Sequence, residues 1–175
     1  MDIHTLVTHA RAGDTEAFGK LYDIFLDTIY RFVYFRVSTT ADAEDITEQV
    51  FVSIFEHIGS YEERNLPFEA WLFRIARNKV IDYYRTKKTK VPLEAIAERP
   101  DSKPQPDEIA EIQLTKEAVM KALTKLPDPY REIIILKFIE EKENDEITII
   151  MEIESGYVRV LQQRALSRLR ALLEI

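Results

Sequence analysis

Cysteine is absent from this 175-residue chain. That excludes disulfides, thiolate metal sites and cysteine nucleophiles. Glycine is scarce, with 4 residues, and proline contributes 7. Tight hairpin turns draw on both residue types, so many short strands are excluded and long helices are predicted. The chain reads as all-α. No apolar run approaches the roughly 18 residues of a spanning helix. The opening Met1-Asp-Ile-His-Thr5 also lacks the basic-then-apolar order of a secretory leader. No membrane insertion is expected, and the expected location is cytoplasmic. His4, His9 and His57 are scattered, and there is no nucleophile-base set, glycine-rich phosphate loop or zinc spacing. An enzyme is therefore not expected, nor is a metal or cofactor. What the chain does contain, 46% apolar and 31% charged residues, is the composition of one globular domain or two small ones.

The net charge of −7 hides a division along the chain. Residues 1–67 carry 5 basic and 12 acidic side chains, whereas residues 68–90 carry 7 and 2. Residues 91–154 carry 8 and 16, and residues 155–175 carry 4 and 1. Two short basic blocks separated by acidic sequence match two local footprints for a polyanion. A pair of solvated helix faces gives the same charge pattern.

Four of the seven prolines lie between Val91 and Asp107. Pro removes a backbone donor and biases its predecessor toward extended geometry, so a helix ending near Lys88 cannot continue through Pro92, Pro100, Pro104 and Pro106. Two small helical domains joined by a flexible Pro-rich linker follow, with boundaries at 1–90, 91–108 and 109–175. In the first domain, Ala17, Phe18, Leu21, Tyr22, Phe25, Ile29, Phe32 and Val33 recur at helical spacing behind a capping Asp14. A second helix starts at Ser38-Thr-Thr40 with Asp42, Glu44 and Asp45 near its positive end, then runs through Ile46, Val50, Phe51, Ile54, Phe55 and Ile58. A loop to Pro67 leads into a third helix from Phe68 to Lys88. Three such helices can share one core.

On a wheel of about 100° per residue, the third helix places Phe68, Leu72, Ile75, Ala76 and Tyr83 on one side. Arg74, Arg77, Asn78, Arg85 and Lys88 gather opposite, with Trp71 at the margin and Tyr84 nearby. Cations neutralise phosphates while amides and rings meet bases, so this outward stripe suits a nucleic-acid strand. An Arg-rich outer face beside packed aromatics is the plainer reading. In the second domain an amphipathic segment spans Ile109 to Leu123, and Pro127 and Pro129 fit a helix start. Asn144 is placed to cap a short helix, Asp145 to Met151, and Glu154 or Ser155 starts a basic one with Val158, Leu161, Ala165, Leu169 and Leu172 inward. That is the organisation of a helix-turn-helix, in which Tyr157, Arg159, Gln163 and Arg164 face base edges or phosphates. Any helical hairpin ending in a basic amphipathic helix shares the pattern.

The order of motifs resembles the group IV, or extracytoplasmic-function, sigma factors. It runs through Asp14-Thr-Glu-Ala-Phe-Gly-Lys-Leu-Tyr22, Asp42-Ala-Glu-Asp-Ile46 with Gln49-Val-Phe51, and Phe68-Glu-Ala-Trp-Leu-Phe-Arg-Ile-Ala-Arg-Asn78 with Asp82 and Arg85. Leu126-Pro-Asp-Pro-Tyr-Arg-Glu132, Asp145-Glu-Ile147, Ile153, Gly156, Val158, Arg159, Arg164-Ala165 and Arg168-Leu-Arg170 complete it. The resemblance implies a bacterial initiation factor that directs RNA polymerase core to promoters. Asp42, Glu44, Asp45, Glu48 and Gln49 would dock on the polymerase clamp helices. Tyr61, Arg64, Asn65, Trp71, Arg74, Arg77, Asn78, Arg85 and Lys88 would hold the melted minus-ten strand, with one base flipped into a pocket. Ser155, Tyr157, Arg159, Gln163 and Arg164 would read the minus-thirty-five duplex. An anti-sigma factor is the further partner implied. The helix-turn-helix departs from the family pattern at Thr148, Glu152, Leu161 and Gln162. A sigma-fold DNA-binding regulator or interaction module that does not itself start transcription is the rival expectation.

Overall fold

A computed structural model describes residues 2–37, 39–64, 66–90 and 116–174, those at 88–90 in their backbone only. The expected linker, the segment from Ile109 to residue 115, Ser38, Asn65 and the Lys88 side chain lie outside the described residues. Every regular element described is helical. The helices are α1 (Ile3–Arg11), α2 (Thr15–Val37), α3 (Thr40–His57), α4 (Phe68–Lys90), α5 (Lys116–Lys125), α6 (Asp128–Ile134), α7 (Asn144–Met151) and α8 (Ser155–Leu173).

The first helix is not among those expected, although Ile3, Leu6, Val7 and Ala10 recur at i, i+3, i+4 and i+7. Asp2 caps it by accepting from the Thr5 amide at 2.8 Å, and Leu6, Val7 and Ala10 seal one end of the core. The expected caps of the next two helices form. Asp14 Oδ1 accepts from the amides of Glu16 and Ala17 at 2.9 and 3.1 Å, and Thr39 Oγ1 accepts from the Asp42 amide at 3.3 Å. Ile29, Phe32, Val33, Val50, Ile54, Leu72, Phe73, Ala76 and Val80 make the fully buried centre. Phe73 meets Phe32 edge to face at 5.2 Å, which adds to roughly 2–3 kcal/mol of burial per large side chain. The buried side of α4 is therefore turned toward Phe73 and Val80, while Ile75 and Tyr83 are only partly covered.

In the second half, α6 begins behind Pro127 with Pro129 in its first turn, as expected. It opens at Ile135–Ile139 into a wide π turn, in which the Glu140 amide reaches the Ile135 carbonyl at 2.9 Å. The cap of α7 is Glu143, one residue earlier than expected. Its amide donates to Glu146 Oε2 at 2.8 Å, and Asn144 Oδ1 instead accepts from Gln162 Nε2 at 2.9 Å. Polar Gln162 is thus satisfied across the α7–α8 corner. The corner residue Glu152 sits at φ 56°, ψ 43°, left-handed without being glycine. Val158, Leu161 and Ala165 anchor α8 against a core that also takes Ile133, Ile135, Leu136, Ile147 and Ile150.

The two halves pack on each other. Arg36 near the end of α2 is fully buried and donates through Nη2 to both carboxylate oxygens of Asp128, at 2.9 and 3.0 Å. Its carbonyl accepts from the Tyr84 hydroxyl and from Arg131 Nη1. Arg31 grips Glu140 with Nε and Nη2 at 2.8 and 2.6 Å, and Lys142 pairs with Glu69 while lying over the Phe73 ring.

Candidate nucleic-acid and protein-docking surfaces

The residues expected to line a strand path are divided by this packing. Arg85 and Asn78 are exposed on α4, with Arg85 3.6 Å from Asp82. Arg64 is exposed in the preceding loop, in an ion pair with Glu62 at 3.0 Å. The expectation of an outward guanidinium stripe fails at its centre. Arg74 Nε and Nη2 donate to the Ile149 carbonyl of α7 at 2.9 and 2.7 Å, and Arg77 Nε donates to Glu132 Oε1 of α6 at 2.7 Å. Both face the second half because α6 and α7 lie over that side of α4. Glu132 is buried, 3.5 Å from Arg36 Nη1 as well. Burial pushes its carboxyl above the usual carboxylate range, against the pull of the two guanidiniums.

Tyr61 is more enclosed than the other described residues expected to contact a strand. It is buried, its hydroxyl donates to the Leu66 carbonyl at 2.6 Å, and its ring packs on Phe68 and Trp71 at 5.4 and 5.0 Å. Burial raises its phenol to about 12. Tyr61 thus shapes the loop from within. Together with Ser53, His57, Ser60, Glu62, Leu66, Trp71, Arg74 and Ile75 it lines a hollow of about 560 Å³. An aromatic wall with hydroxyl, imidazole and guanidinium groups is a suitable receptacle for an unstacked base.

On α8 the expected reading face is free. Ser155, Tyr157, Arg159, Gln163 and Arg164 are all exposed around the helix N-terminal half, behind the Glu152 corner. Arg and Gln there supply the paired donors that base edges accept.

The acidic helix carries an exposed surface of its own. Glu44, Asp45, Glu48 and Gln49 are exposed along α3. Asp42 is tied inward, accepting from Thr39 Oγ1 at 2.6 Å and from the Tyr83 hydroxyl at 2.7 Å, and these bonds hold its carboxyl below the usual range. Between α2 and α3 lies an open groove of about 920 Å³, floored by Phe18, Tyr22, Leu26, Phe51, Val52 and Phe55 and rimmed by Asp27, Glu44, Glu48 and Glu56. Val52 and Phe55 are 51% and 53% exposed, an unusual cost for side chains of this size. Helical spacing alone assigns Phe18, Tyr22 and Phe55 to the core. The signal that separates them is width, because Phe51, Val52, Ile54 and Phe55 span more of the helix than one buried face requires.

Two helical modules, one ending in an exposed helix-turn-helix and one bearing an acid-rimmed apolar groove, define a nucleic-acid-binding protein that also docks on another protein. Residues 21–90 match the Sigma-70 region 2 family and residues 116–169 match Sigma-70 region 4. The chain is 33% identical to the ECF RNA polymerase sigma factor SigW of Bacillus subtilis, over 97% of this chain and 96% of that one. It is 32% identical to the ECF RNA polymerase sigma factor BldN of Streptomyces coelicolor over 96% of its own length, and spans 64% of that relative. Its fold is similar to that of CnrH in a complex with the cytosolic domain of CnrY, with TM-score 0.75, 24% identity and 99% and 98% of the two chains covered. The chain belongs to the extracytoplasmic-function sigma factors of RNA polymerase. Among the described residues no helix is long and apolar enough to cross a membrane.

Proposed function

We propose that this protein binds RNA polymerase core through the α2–α3 groove and its acidic rim, and directs the enzyme to promoters by holding two stretches of DNA. Apolar side chains of a clamp helix fill the groove while basic residues beside them meet Glu44, Glu48 and Glu56. The loop from Tyr61 to Leu66 and the α4 surface through Trp71, Arg74, Arg77, Asn78 and Arg85 take the melted minus-ten strand, with a flipped base in the hollow beside Trp71. The N-terminal half of α8 reads the minus-thirty-five duplex. The module boundaries are 1–90 and 109–175. The protein supplies binding free energy and no covalent chemistry. An anti-sigma factor that covers one or both modules is its other partner.

The observation that carries this reading is the pairing of a solvent-facing apolar groove under acidic residues with an exposed, donor-rich α8 in one chain. Transcription in vitro with core polymerase and a promoter library tests it. Core-dependent initiation from a subset of promoters is the expected result. Promoter binding with no initiation on any template would establish a DNA-binding regulator instead.

A further inference from the structure

We infer that His57 selects the base held in the hollow beside Trp71, favouring cytosine or adenine, whose pairing edge carries an exocyclic amine, over thymine or guanine, which present a carbonyl there. The inference rests on the proposed placing of a flipped base in that hollow. His57 is the last residue of α3, and its ring lies back over the preceding turn, where Nδ1 stands 2.7 Å from the Ser53 carbonyl. A carbonyl oxygen only accepts, so Nδ1 carries the proton. In a neutral imidazole the other nitrogen is then a bare acceptor, and Nε2 has no protein partner among the described residues. The side chain is exposed and forms part of the wall of the hollow. His4 and His9 differ, since each faces a carboxylate, that of Glu63 or of Asp14.

The rest of the wall agrees in polarity, because its donors are largely engaged within the protein. The Ser60 hydroxyl donates to the His57 carbonyl at 2.9 Å, and the Tyr61 hydroxyl donates to the Leu66 carbonyl at 2.6 Å. Arg74 directs Nε and Nη2 to the Ile149 carbonyl, and its Nη1 lies 3.5 Å from Glu152 Oε1. Glu62 contributes a carboxylate, which only accepts when ionised. Ser53 brings a hydroxyl that can turn either way. A base entering here therefore meets acceptors. The exocyclic amine of cytosine or adenine has a proton to give to Nε2, whereas the carbonyl of thymine or guanine would set lone pair against lone pair. Stacking on the Trp71 ring is open to every base. Discrimination thus falls to the imidazole, and it is sharpened because a desolvated polar atom without a partner costs more than a made bond gains.

Transcription by core polymerase with the full chain tests this, on barcoded templates randomised through the minus-ten segment and at mildly alkaline pH, where imidazole side chains are neutral. The parent is expected to favour cytosine or adenine over thymine and guanine by about 10-fold at one position of the segment. His57→Ala should bring that preference to within about 2-fold of even at that position alone. His57→Gln keeps an acceptor and should hold most of the preference, while His57→Lys can only donate and should turn it toward thymine and guanine. The side chain is solvent-facing, so circular dichroism should find all three variants as helical as the parent. Ser53→Leu fills the hollow and serves as the control for base entry. A preference that Ser53→Leu erases but His57→Ala leaves in place, or one for thymine or guanine in the parent, would overturn selection by His57 and retain the hollow as a base site. No base preference in the segment, or none that Ser53→Leu alters, would overturn the base site and the selection together. Absence of core-dependent initiation by the parent would overturn the proposed function as well.

Discussion

Replacing Arg36 by Met removes a guanidinium that is completely withdrawn from solvent yet has carboxylates on two sides. Met keeps much of the stem's apolar volume, so packing on Phe32 is retained and the loss is electrostatic. Asp128, with a side chain 46% exposed, can rehydrate. Glu132 cannot, since its side chain is 2% exposed and only Arg77 remains beside it. Stripping one partner from a buried pair costs 3–5 kcal/mol, and the surviving Arg77 contact places this case near the low end, about 3 kcal/mol. That corresponds to a fall of about 150-fold in the docking constant between the halves. Scanning calorimetry is the assay. The parent should melt as one cooperative unit, and Arg36→Met should separate into two transitions as the halves uncouple. Adding Glu132→Gln should recover most of the coupling by removing the stranded charge. The penalty should also shrink as pH falls, because burial already lifts the Glu132 carboxyl and loss of Arg36 lifts it further. A single transition within about 1 °C of the parent would refute this account.

Glu152→Gly should raise stability by about 0.5–1 kcal/mol, read by urea unfolding, since glycine relieves the left-handed backbone but adds freedom to the unfolded chain. Thr39→Ala should cost about 1 kcal/mol by leaving the Asp42 amide without its side-chain cap, seen as faster amide exchange in the first turn of α3. Tyr61→Phe should remove a late-ionising phenol from an absorbance titration. The folded phenol lies near 12 and the unfolded one near 10. Its contribution to stability is therefore complete below the unfolded value and lost as pH rises through the folded one. Substituting Arg74 and Arg77 by Ala should weaken open-complex formation and flatten its salt dependence, by about 0.7 in log-log slope for each single-strand phosphate left without its cation. A slope equal to the parent's would remove these two residues from the strand path.

Helix positions are legible in the sequence wherever a short-range signal exists. Asp14 and Thr39 mark starts that form as expected, and Pro127 with Pro129 marks another. Local periodicity does not separate the covered face of α4 from its partner-facing one. Arg74 and Arg77 have the spacing of a solvated stripe, and only the position of α6 and α7 turns them inward. Phe73 escapes the wheel for a related reason: the wheel assigns one buried side, whereas α4 is covered by the first-half core and by Lys142 of the second half. On α8 the outward rotation of Tyr157, Arg159, Gln163 and Arg164 follows from burial of Val158, Leu161 and Ala165 alone. Asn144 shows the limit of composition at caps. Asn, Asp and Glu all stand at that boundary, and the tertiary bond from Gln162 decides which one serves elsewhere.

The five-residue widening after α6 adds one residue to a helical turn and so sets the azimuth of the chain beyond Ile139. Because one helical residue subtends about 100°, deleting a residue from Ile135–Ile139 would restore ordinary winding while swinging Glu140 and Lys142 off the bearings that reach Arg31 and Glu69. The irregularity thus acts as a spacer in the angular sense. Lengths of chain that tolerate insertion elsewhere would be intolerant here, for a reason that neither hydrophobicity nor charge count would disclose.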